Sequence, residues 1–306
     1  MKMGKYILVI SLVLGHLAYD AQIHPQQTQY MFNAIGLNPG AAGQHNALNA
    51  TLNHRTMWRG IEGAPKTDYV TVHTPLKYES LAAGIQFYHD RIGVTSKSTF
   101  MVNGAYRIKT GKGQIGFGLM AGITSGVNNW SQVQTTESDD LVFNSGDNSY
   151  LIPSAGAGVY YHDKTSFAGL SIPQFLTAVY DGGGKYKASA SIEHFTYHFM
   201  AGKQVKLNED FTLFASTLLK YQKNIALQPD VTILGGYLGM YDAGFTYRPG
   251  DAISFIARGK VNPQTRISYS YDYNLHALAS YSSGSHELGL SYTFIYKTKS
   301  RDTRMM

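Results

Sequence analysis

The sequence predicts an all-β protein, a transmembrane antiparallel β-barrel of about 14 strands. Apolar residues alternate strictly with small or polar residues along many segments, which is the period of a strand with two different faces. The polar face is built from Gly, Ser and Ala, in keeping with 32 Gly and only 15% charged residues among 306. The segments also cluster near the roughly 9–11 residues that a tilted strand needs to cross a bilayer. Together these observations favour a membrane barrel over a soluble β-sandwich or barrel.

The first 21 residues have the pattern of a secretory signal peptide. Lys2 and Lys5 precede the apolar run 6–15, and a small residue, Ala21, stands at the expected cleavage site. The apolar run is shorter than the roughly 20 residues of a membrane-spanning helix. We therefore expect an exported chain whose mature part begins at Gln22.

The mature chain is expected to begin with an N-terminal segment, residues 22–45, that precedes the first strand. It contains Tyr30, Met31 and Phe32, which are too apolar to remain in solvent. A barrel of about fourteen strands is wider than the eight-stranded kind that side chains alone can fill. We expect this segment to start in the periplasm and to pack either into the lumen, as a plug, or against a periplasmic partner.

Residues 46–298 are expected to form the barrel, followed by a basic tail over residues 299–306. In the segment 97–109, Phe100 and Val102 share the apolar face. The alternation predicts strands at 46–57, 66–75, 81–90, 97–109, 113–124, 151–162, 165–172, 190–204, 210–221, 229–236, 239–248, 251–260, 264–274 and 285–298.

The connections between the predicted strands alternate in length. Lys109–Gly113 and Val261–Pro263 are tight, whereas the connections at 125–150 and 173–189 are long. Outer-membrane barrels have short periplasmic turns and longer external loops. An even number of strands also returns both ends of the mature chain to the same side, which we expect to be the periplasmic side.

The first external loop is expected to be a compact turn shaped by glycine and proline. Two roles remain open for it, folding inward to close the pore or presenting side chains to a docking partner. The residues concerned are Trp58, Arg59, Gly60, Gly63, Pro65 and Lys66.

Charged residues on the inward phase of the strands predict an ionic network in the lumen, because buried charges persist only when paired. Arg266 and Glu287, on consecutive strands, are the expected pair. The full set is Arg107, Glu193, Arg258, Arg266, Asp272 and Glu287.

Recognisable catalytic and cofactor motifs are missing from the sequence. There is no phosphate-binding G-x-x-x-x-G-K-[ST], no G-x-S-x-G and no H-E-x-x-H. The glycine pairs 116/118 and 156/158 lie inside predicted strands, where they indicate small lumen or close-packing positions. His194 and His198 share a strand face but lie roughly 13 Å apart, too far for one ion. Asp139-Asp140 predicts a solvated turn, with contact to calcium as the alternative.

The composition excludes further classes of function. With no Cys, the chain has no disulfide, zinc–thiolate site, iron–sulfur cluster or thiol nucleophile. The formal charge is +6, yet the basic residues are spread through turns and the tail and form no groove with stacking aromatics, which argues against nucleic acid. We expect no enzymatic activity, no cofactor and no small-molecule substrate.

The sequence resembles the PorP/SprF family of outer-membrane proteins of the type IX secretion system in Bacteroidetes. The resemblance begins at Gln27–Asn33 and at Asn38, Pro39 and the four residues after them. It departs from the family pattern at Gly40-Ala41 and at Asp140–Phe143. The further motifs, in order, are Trp58–Thr67, Val72–Leu76, His89–Gly93, Tyr106–Lys109, Tyr271–Asn274 and Gly284–Glu287.

This resemblance implies a non-enzymatic outer-membrane barrel that works with the secretion and gliding machinery. Its expected partners are outer-membrane lipid, proteins of the type IX machinery and a surface cargo or adhesin that it anchors or helps to export. The alternative function is a passive outer-membrane diffusion channel. A third class, an outer-membrane hydrolase, lacks a nucleophile–base pair at readable spacing.

Overall fold

The computed structural model describes residues 25–77, 80–132, 148–180 and 186–294. The expected signal peptide, the basic tail and Asp139-Asp140 lie outside these residues. Fourteen antiparallel strands close into one barrel, and a separate two-stranded hairpin, β8–β9, stands in one connection. The strands are β1 Leu48–Thr56, β2 Lys66–Pro75, β3 Leu81–Ile92, β4 Thr95–Thr110, β5 Gly113–Asn128, β6 Asn148–His162, β7 Ser166–Ile172, β8 Thr177–Tyr180, β9 Tyr186–Ser189, β10 Tyr197–Lys206, β11 Phe211–Gln222, β12 Ile225–Tyr237, β13 Tyr241–Arg248, β14 Ala252–Lys260, β15 Thr265–Asn274 and β16 Ser285–Phe294.

The expected fold class is therefore confirmed, with the fourteen barrel strands near their predicted positions. Each strand pairs with its neighbours in the chain, except that β7 pairs with β10 across the hairpin. β1 closes the barrel by pairing with β16, with Leu48 opposite Phe294. Among the described residues no helix is long and apolar enough to cross a membrane.

One predicted strand is displaced. The segment 190–204 was expected to be a strand, but β10 begins at Tyr197, and a 3₁₀ turn occupies Ile192–His194. The six residues from His198 pair with β7, whose ladder ends just before Pro173. Proline has no N–H to donate to a ladder, so β7 does not continue at Pro173. The alternating residues before Tyr197 therefore have no neighbouring strand with which to pair.

The two faces of the wall follow the predicted alternation. On β4, Phe100 and Val102 point outward and are exposed, whereas Thr99 and Asn103 point into the lumen and are buried. On β16, Leu290 faces outward, and Ser291 faces inward, 3.0 Å from the Thr51 hydroxyl. The outward face is largely apolar, and closure of the sheet pairs most of its backbone groups, which suits this face to lipid.

The two ends of the barrel differ as expected. We call the end that holds Leu48 and Phe294 the periplasmic end, because short turns such as 111–112 and 163–165 lie there. The opposite, external end holds the longer connections. These are 57–65, 129–147, 173–196 and 275–284, the second and third only partly described.

The core of the molecule lies inside the barrel and is built largely by the segment before β1. Residues 25–47 contain three short 3₁₀ helices, Tyr30–Phe32, Ala34–Gly36 and Pro39–Ala41. Asn38 caps the third helix by accepting a hydrogen bond from the Gly40 N–H, and Pro39 fills its first position, where no N–H is needed. The buried cluster includes Tyr30, Ile35, Leu37, Ala41, Ala42, Met200 and Leu218.

Candidate functional site

The N-terminal segment runs the length of the lumen. Gln26 donates a hydrogen bond to Asp251, in the turn between β13 and β14 at the external end. Tyr30 meets Ser216 near the middle of β11, and Gly43 meets Arg107 near the periplasmic end. The described segment thus starts at the external end and descends to β1, whereas the sequence predicts a periplasmic start. Because β1 begins at the periplasmic end, a segment that runs the length of the lumen must start at the opposite end.

Near its external end the segment is fixed by Thr28, which is fully buried. Its backbone N–H donates to Glu287 Oε2 at 2.9 Å, and its hydroxyl donates to Asp272 Oδ2 at 2.9 Å. Arg55 completes the cluster, with Nη2 2.6 Å from Asp272 Oδ2 and Nη1 3.1 Å from Glu287 Oε2 and 2.9 Å from the Thr28 hydroxyl oxygen. Arg55, Asp272 and Glu287 come from β1, β15 and β16, so a single threonine joins three strands.

A second buried arginine extends this network across the lumen. Arg248 Nε donates to Asp230 at 2.8 Å, and its Nη1 donates to Asp251 at 2.9 Å. Lys220 lies 3.7 Å from Asp230, and Arg248 Nη2 lies 3.4 Å from the Thr28 hydroxyl oxygen. Buried charges of both signs therefore alternate through the network, the arrangement that offsets their loss of hydration.

Asp251 lies in a turn outside the membrane-spanning strands. Its partial burial opposes ionisation, but the positive charge of Arg248 and the hydrogen bond from Gln26 together hold the pKa of the Asp251 carboxyl below its usual value. The carboxylate is therefore ionised at neutral pH and ties the start of the segment to the external turn.

The middle of the segment is held by neutral polar groups. The Tyr30 hydroxyl lies 2.8 Å from Ser216 Oγ, and Asn33 accepts a hydrogen bond from Thr71 at 2.8 Å. Ser171 donates to the carbonyl oxygen of Leu37 at 2.7 Å. These bonds satisfy backbone and side-chain groups that burial would otherwise leave without water.

The Asn38-Pro39-Gly40 turn rests directly on glycines of β5 and β6. Asn38 is fully buried and donates to the carbonyl oxygens of Val159 and Leu170 at 3.0 and 3.3 Å. A Cβ atom on Gly118 would lie 2.2 Å from the Gly40 nitrogen, and one on Gly158 would lie 2.3 Å from Asn38 Oδ1. The predicted close-packing role of these glycines thus has a definite partner, the N-terminal segment.

Two further arginines hold the lower part of the segment. Arg107 is buried and donates to the carbonyl oxygen of Gly43 at 2.7 Å. The Arg258 guanidinium lies 3.9 Å above the Phe32 ring and is paired with Asp242 at 2.7 Å. Stacking of a guanidinium on an aromatic face adds a favourable cation–π contact. Met31 and Phe32 are only partly buried.

The structure corrects two expectations about the lumen charges. Glu193 lies outside the barrel wall, exposed in the 173–196 connection, where its bond to Lys223 lowers the pKa of its carboxyl. Its predicted strand is replaced there by the 3₁₀ turn. Arg266 and Glu287 do not pair, because Arg266 stands opposite Ser291 and the Glu287 carboxylate is bound by Arg55.

Some lumen residues escaped the sequence analysis. Arg55 shares the inward phase of β1 with Asn49, Thr51 and Asn53, and this phase is the signal that could have found it. Arg248 lies on the inward phase of β13 and was likewise not among the predicted lumen charges. Asp230 was missed because the segment around Pro229 has a weak alternation.

The first external loop lies on the rim of the barrel. Gly60 and Gly63 have positive φ angles of 105° and 71°, as a compact turn requires. Gly63 accepts a hydrogen bond from the Gly93 N–H, and the Arg59 N–H donates to Gly284. Trp58 packs edge-on against His276 at 6.2 Å between ring centroids. Pro65 is buried, whereas Arg59 and Lys66 are exposed to the outside.

The described residues contain no group of three or more His, Cys, Asp or Glu side chains that could hold a metal ion. In their buried ionic clusters, carboxylates are paired with guanidinium or ammonium groups. These ion pairs and hydrogen bonds hold the N-terminal segment against the inner wall of the barrel.

Fold and site together define an outer-membrane β-barrel whose lumen is occupied by its own N-terminal segment. A family model described as "Type IX secretion system membrane protein PorP/SprF" matches residues 19–292. The chain therefore belongs to the PorP/SprF family, which is associated with type IX secretion. No curated protein sequence matches the chain.

Solved structures similar to this chain are barrels of low sequence identity. A Pseudomonas aeruginosa FadL homologue has a TM-score of 0.48 at 11% identity, covering 89% of this chain and 95% of its own. The Acinetobacter baumannii outer membrane protein Omp33 has a TM-score of 0.45 at 6% identity, covering 81% and 99%. A KdgM porin has a TM-score of 0.40 at 10% identity, with the same two coverages.

Proposed function

We propose that this protein is a non-enzymatic anchor of the type IX secretion system, which holds a surface cargo or adhesin protein at its external end. Family membership supplies the association with the secretion system. The observation that favours an anchor over the alternative, a passive diffusion channel, is the occupied lumen. Because residues 25–45 fill the interior with buried side chains fixed at both ends, a folded protein partner must bind to a surface of the barrel.

The external rim offers such a surface. Loop 57–65 and loop 275–284 are joined by two backbone hydrogen bonds, in which Arg59 donates to Gly284 and accepts from Ser283. Tyr281 projects from the second loop with 76% of its surface exposed, and Trp58 stands at the junction. Exposed aromatic residues on a rigid base are the usual anchors of protein–protein interfaces.

The test is surface display of the cargo in cells that carry a double variant, Trp58→Ala with Tyr281→Ala. We expect normal amounts of folded, heat-modifiable barrel and a several-fold loss of displayed cargo, since hot-spot aromatic residues carry most of the binding energy at an interface. The matched control is Leu207→Ala with Val261→Ala, which removes two exposed apolar side chains from periplasmic turns.

The rim variant and the periplasmic control together distinguish between two binding surfaces. Loss of display in the rim variant but not in the control supports an external anchor. Unchanged display in the rim variant removes these loops from the mechanism. Loss of display in the periplasmic control alone would move the binding surface to the opposite end of the barrel.

A further inference from the structure

A pocket of about 600 Å³ lies beneath loop 57–65 at the external rim. Its wall is formed by residues on the outward phase of four adjacent strands, β16, β1, β2 and β3, so it opens on the outside of the barrel and not into the lumen. The side chains that matter are His54, Arg59, Lys66, Arg91, His286 and Leu288. The volume is within the range of about 300–1,000 Å³ typical of small-ligand sites.

The pocket lies at the external end of the barrel, where the wall meets the membrane–water interface. Lys66 is the first residue of β2 and Arg91 is next to the last of β3, so both stand at the external ends of their strands. Just below them on the same face, Leu288 and then Leu52 and Leu290 are exposed to the outside. A cationic pocket above an apolar wall matches a lipid molecule whose charged head group lies above its acyl chains.

The pocket carries a positive charge, and its basic side chains can bind an anionic ligand. Among the described residues, no ion pair includes Arg59, Lys66 or Arg91. The acidic residues nearby are Glu62, in the loop itself, and Asp68, whose carboxylate is already bound by His54 at 2.7 Å. A phosphate group is the anion that best matches guanidinium and ammonium donors converging from a loop and two strands.

We propose that this pocket binds the phosphate head group of an anionic glycolipid of the outer leaflet, with the acyl chains lying along the Leu52–Leu288–Leu290 surface. Arg91 and Lys66 contact the phosphate from the wall, and Arg59 closes over it from the loop. Bound lipid then stabilises the compact loop from the outside, a role independent of the proposed cargo binding.

The test uses the full-length protein folded in neutral detergent micelles that contain bisphosphorylated lipid A as the probe, with bound lipid counted by native mass spectrometry. We expect one lipid A per wild-type barrel and a roughly tenfold or greater loss of affinity for Lys66→Ala with Arg91→Ala, because hydrogen bonds to charged groups contribute most of such contacts. Exchanging the two cations, Lys66→Arg with Arg91→Lys, should restore most of the binding.

The matched control is Lys203→Ala with Lys206→Ala, which removes two exposed cations from the periplasmic end. Equal loss of lipid in this control would mean non-specific attraction and would overturn the site. Equal binding by wild type and the Lys66/Arg91 variant would also overturn it. Displacement of the lipid by inorganic phosphate at millimolar concentration would show an anion site with no part for the acyl chains, contrary to the proposal. Cargo display is not a readout here, so failure of the anchor function leaves the result unaffected.

Discussion

Thr28 is a small residue with an unusually large set of charged partners. Its hydroxyl oxygen accepts from Arg55 and lies within 3.4 Å of Arg248, and its hydroxyl hydrogen is directed to Asp272. A valine at this position has nearly the same shape but no polar atom. Loss of the hydroxyl therefore leaves two guanidinium groups and a carboxylate with one fewer partner each in a buried place.

We predict that Thr28→Val destabilises the folded barrel by about 1.5–3 kcal/mol, the usual value of hydrogen bonds to charged groups. Equilibrium unfolding in detergent micelles with urea measures this change. Thr110→Val, at the exposed periplasmic end of β4, is the control and should leave the midpoint unchanged. Equal midpoints for Thr28→Val and wild type would show that the buried network holds without this hydroxyl.

Asp251 makes the contact between the start of the N-terminal segment and the external turn dependent on pH. The pKa of its carboxyl is lower in the folded protein than in the unfolded chain, so the ionised form contributes stability above the unfolded pKa of about 4. This contribution disappears as the pH falls through the lower, folded pKa. We predict that Asp251→Asn is less stable than wild type at pH 7 and that the two proteins converge as the pH falls from about 4.

Unfolding midpoints measured from pH 7 to pH 2.5 test this prediction. Other carboxylates titrate in the same range, but they are common to both proteins, so the difference between the two curves reports on Asp251. A difference that stays constant over the whole range would mean that the carboxylate charge of Asp251 is not what stabilises the start of the segment.

At the scale of elements, the Asn38-Pro39-Gly40 turn fits against strands β5 and β6 because glycines, which have no side chain, stand at the contact. We predict that Gly118→Ala displaces the segment, because its new Cβ would lie 2.2 Å from backbone atoms of Pro39 and Gly40, which cannot move independently of the chain. Gly104→Ala on β4 is the matched control, since nothing lies within 4 Å of its Cβ position.

Limited proteolysis in micelles measures the effect. Cleavage within residues 25–45 should become fast in Gly118→Ala and remain slow in Gly104→Ala and wild type. If both alanine variants resist the protease equally, the segment tolerates the extra methyl group, and the glycine surface is not what positions it.

The barrel strands could be predicted because each has a lipid face and a lumen face, which imposes the alternation on the sequence itself. The hairpin β8–β9 could not, because it is a separate sheet outside the barrel wall and shows no alternation of buried and exposed residues in β9. The start of β10 was misplaced for a related reason, since alternation continues through residues 190–196 although β7 ends at Ile172 and offers no partner.

The lumen charges show a similar division. The inward phase of Arg107, Arg258 and Asp272 is readable from alternation, because it depends only on neighbours in the same strand. The partners of Arg107 and Asp272 are not, because Gly43 and Thr28 reach them from another part of the chain. The pairing of Glu287 with Arg55 likewise depends on the closure of β1 on β16, which the period of two cannot specify.

At the scale of the whole molecule, the occupied lumen predicts that the barrel does not conduct ions. We expect wild-type protein in a planar bilayer to show no stable open channel, since residues 25–45 fill the space between the walls and are fixed at both ends. Deletion of residues 25–44 should give steady ion conductance. The control is a chain with the same deletion that is refolded together with a synthetic peptide of residues 25–44, which should lower the conductance. A steady open pore in the wild-type protein would favour the diffusion channel instead.

The position of Thr28 also bears on the order in which the barrel is assembled. Arg55, Asp272 and Glu287 stand on β1, β15 and β16, at the pairing of β1 with β16 that joins the two ends of the sheet. If β1 and β16 paired around an empty lumen, these charges would be buried without the threonine, and the segment would then have to thread in past the periplasmic rim. We therefore expect the segment to be in place before β1 and β16 pair during normal assembly, because its presence removes both costs.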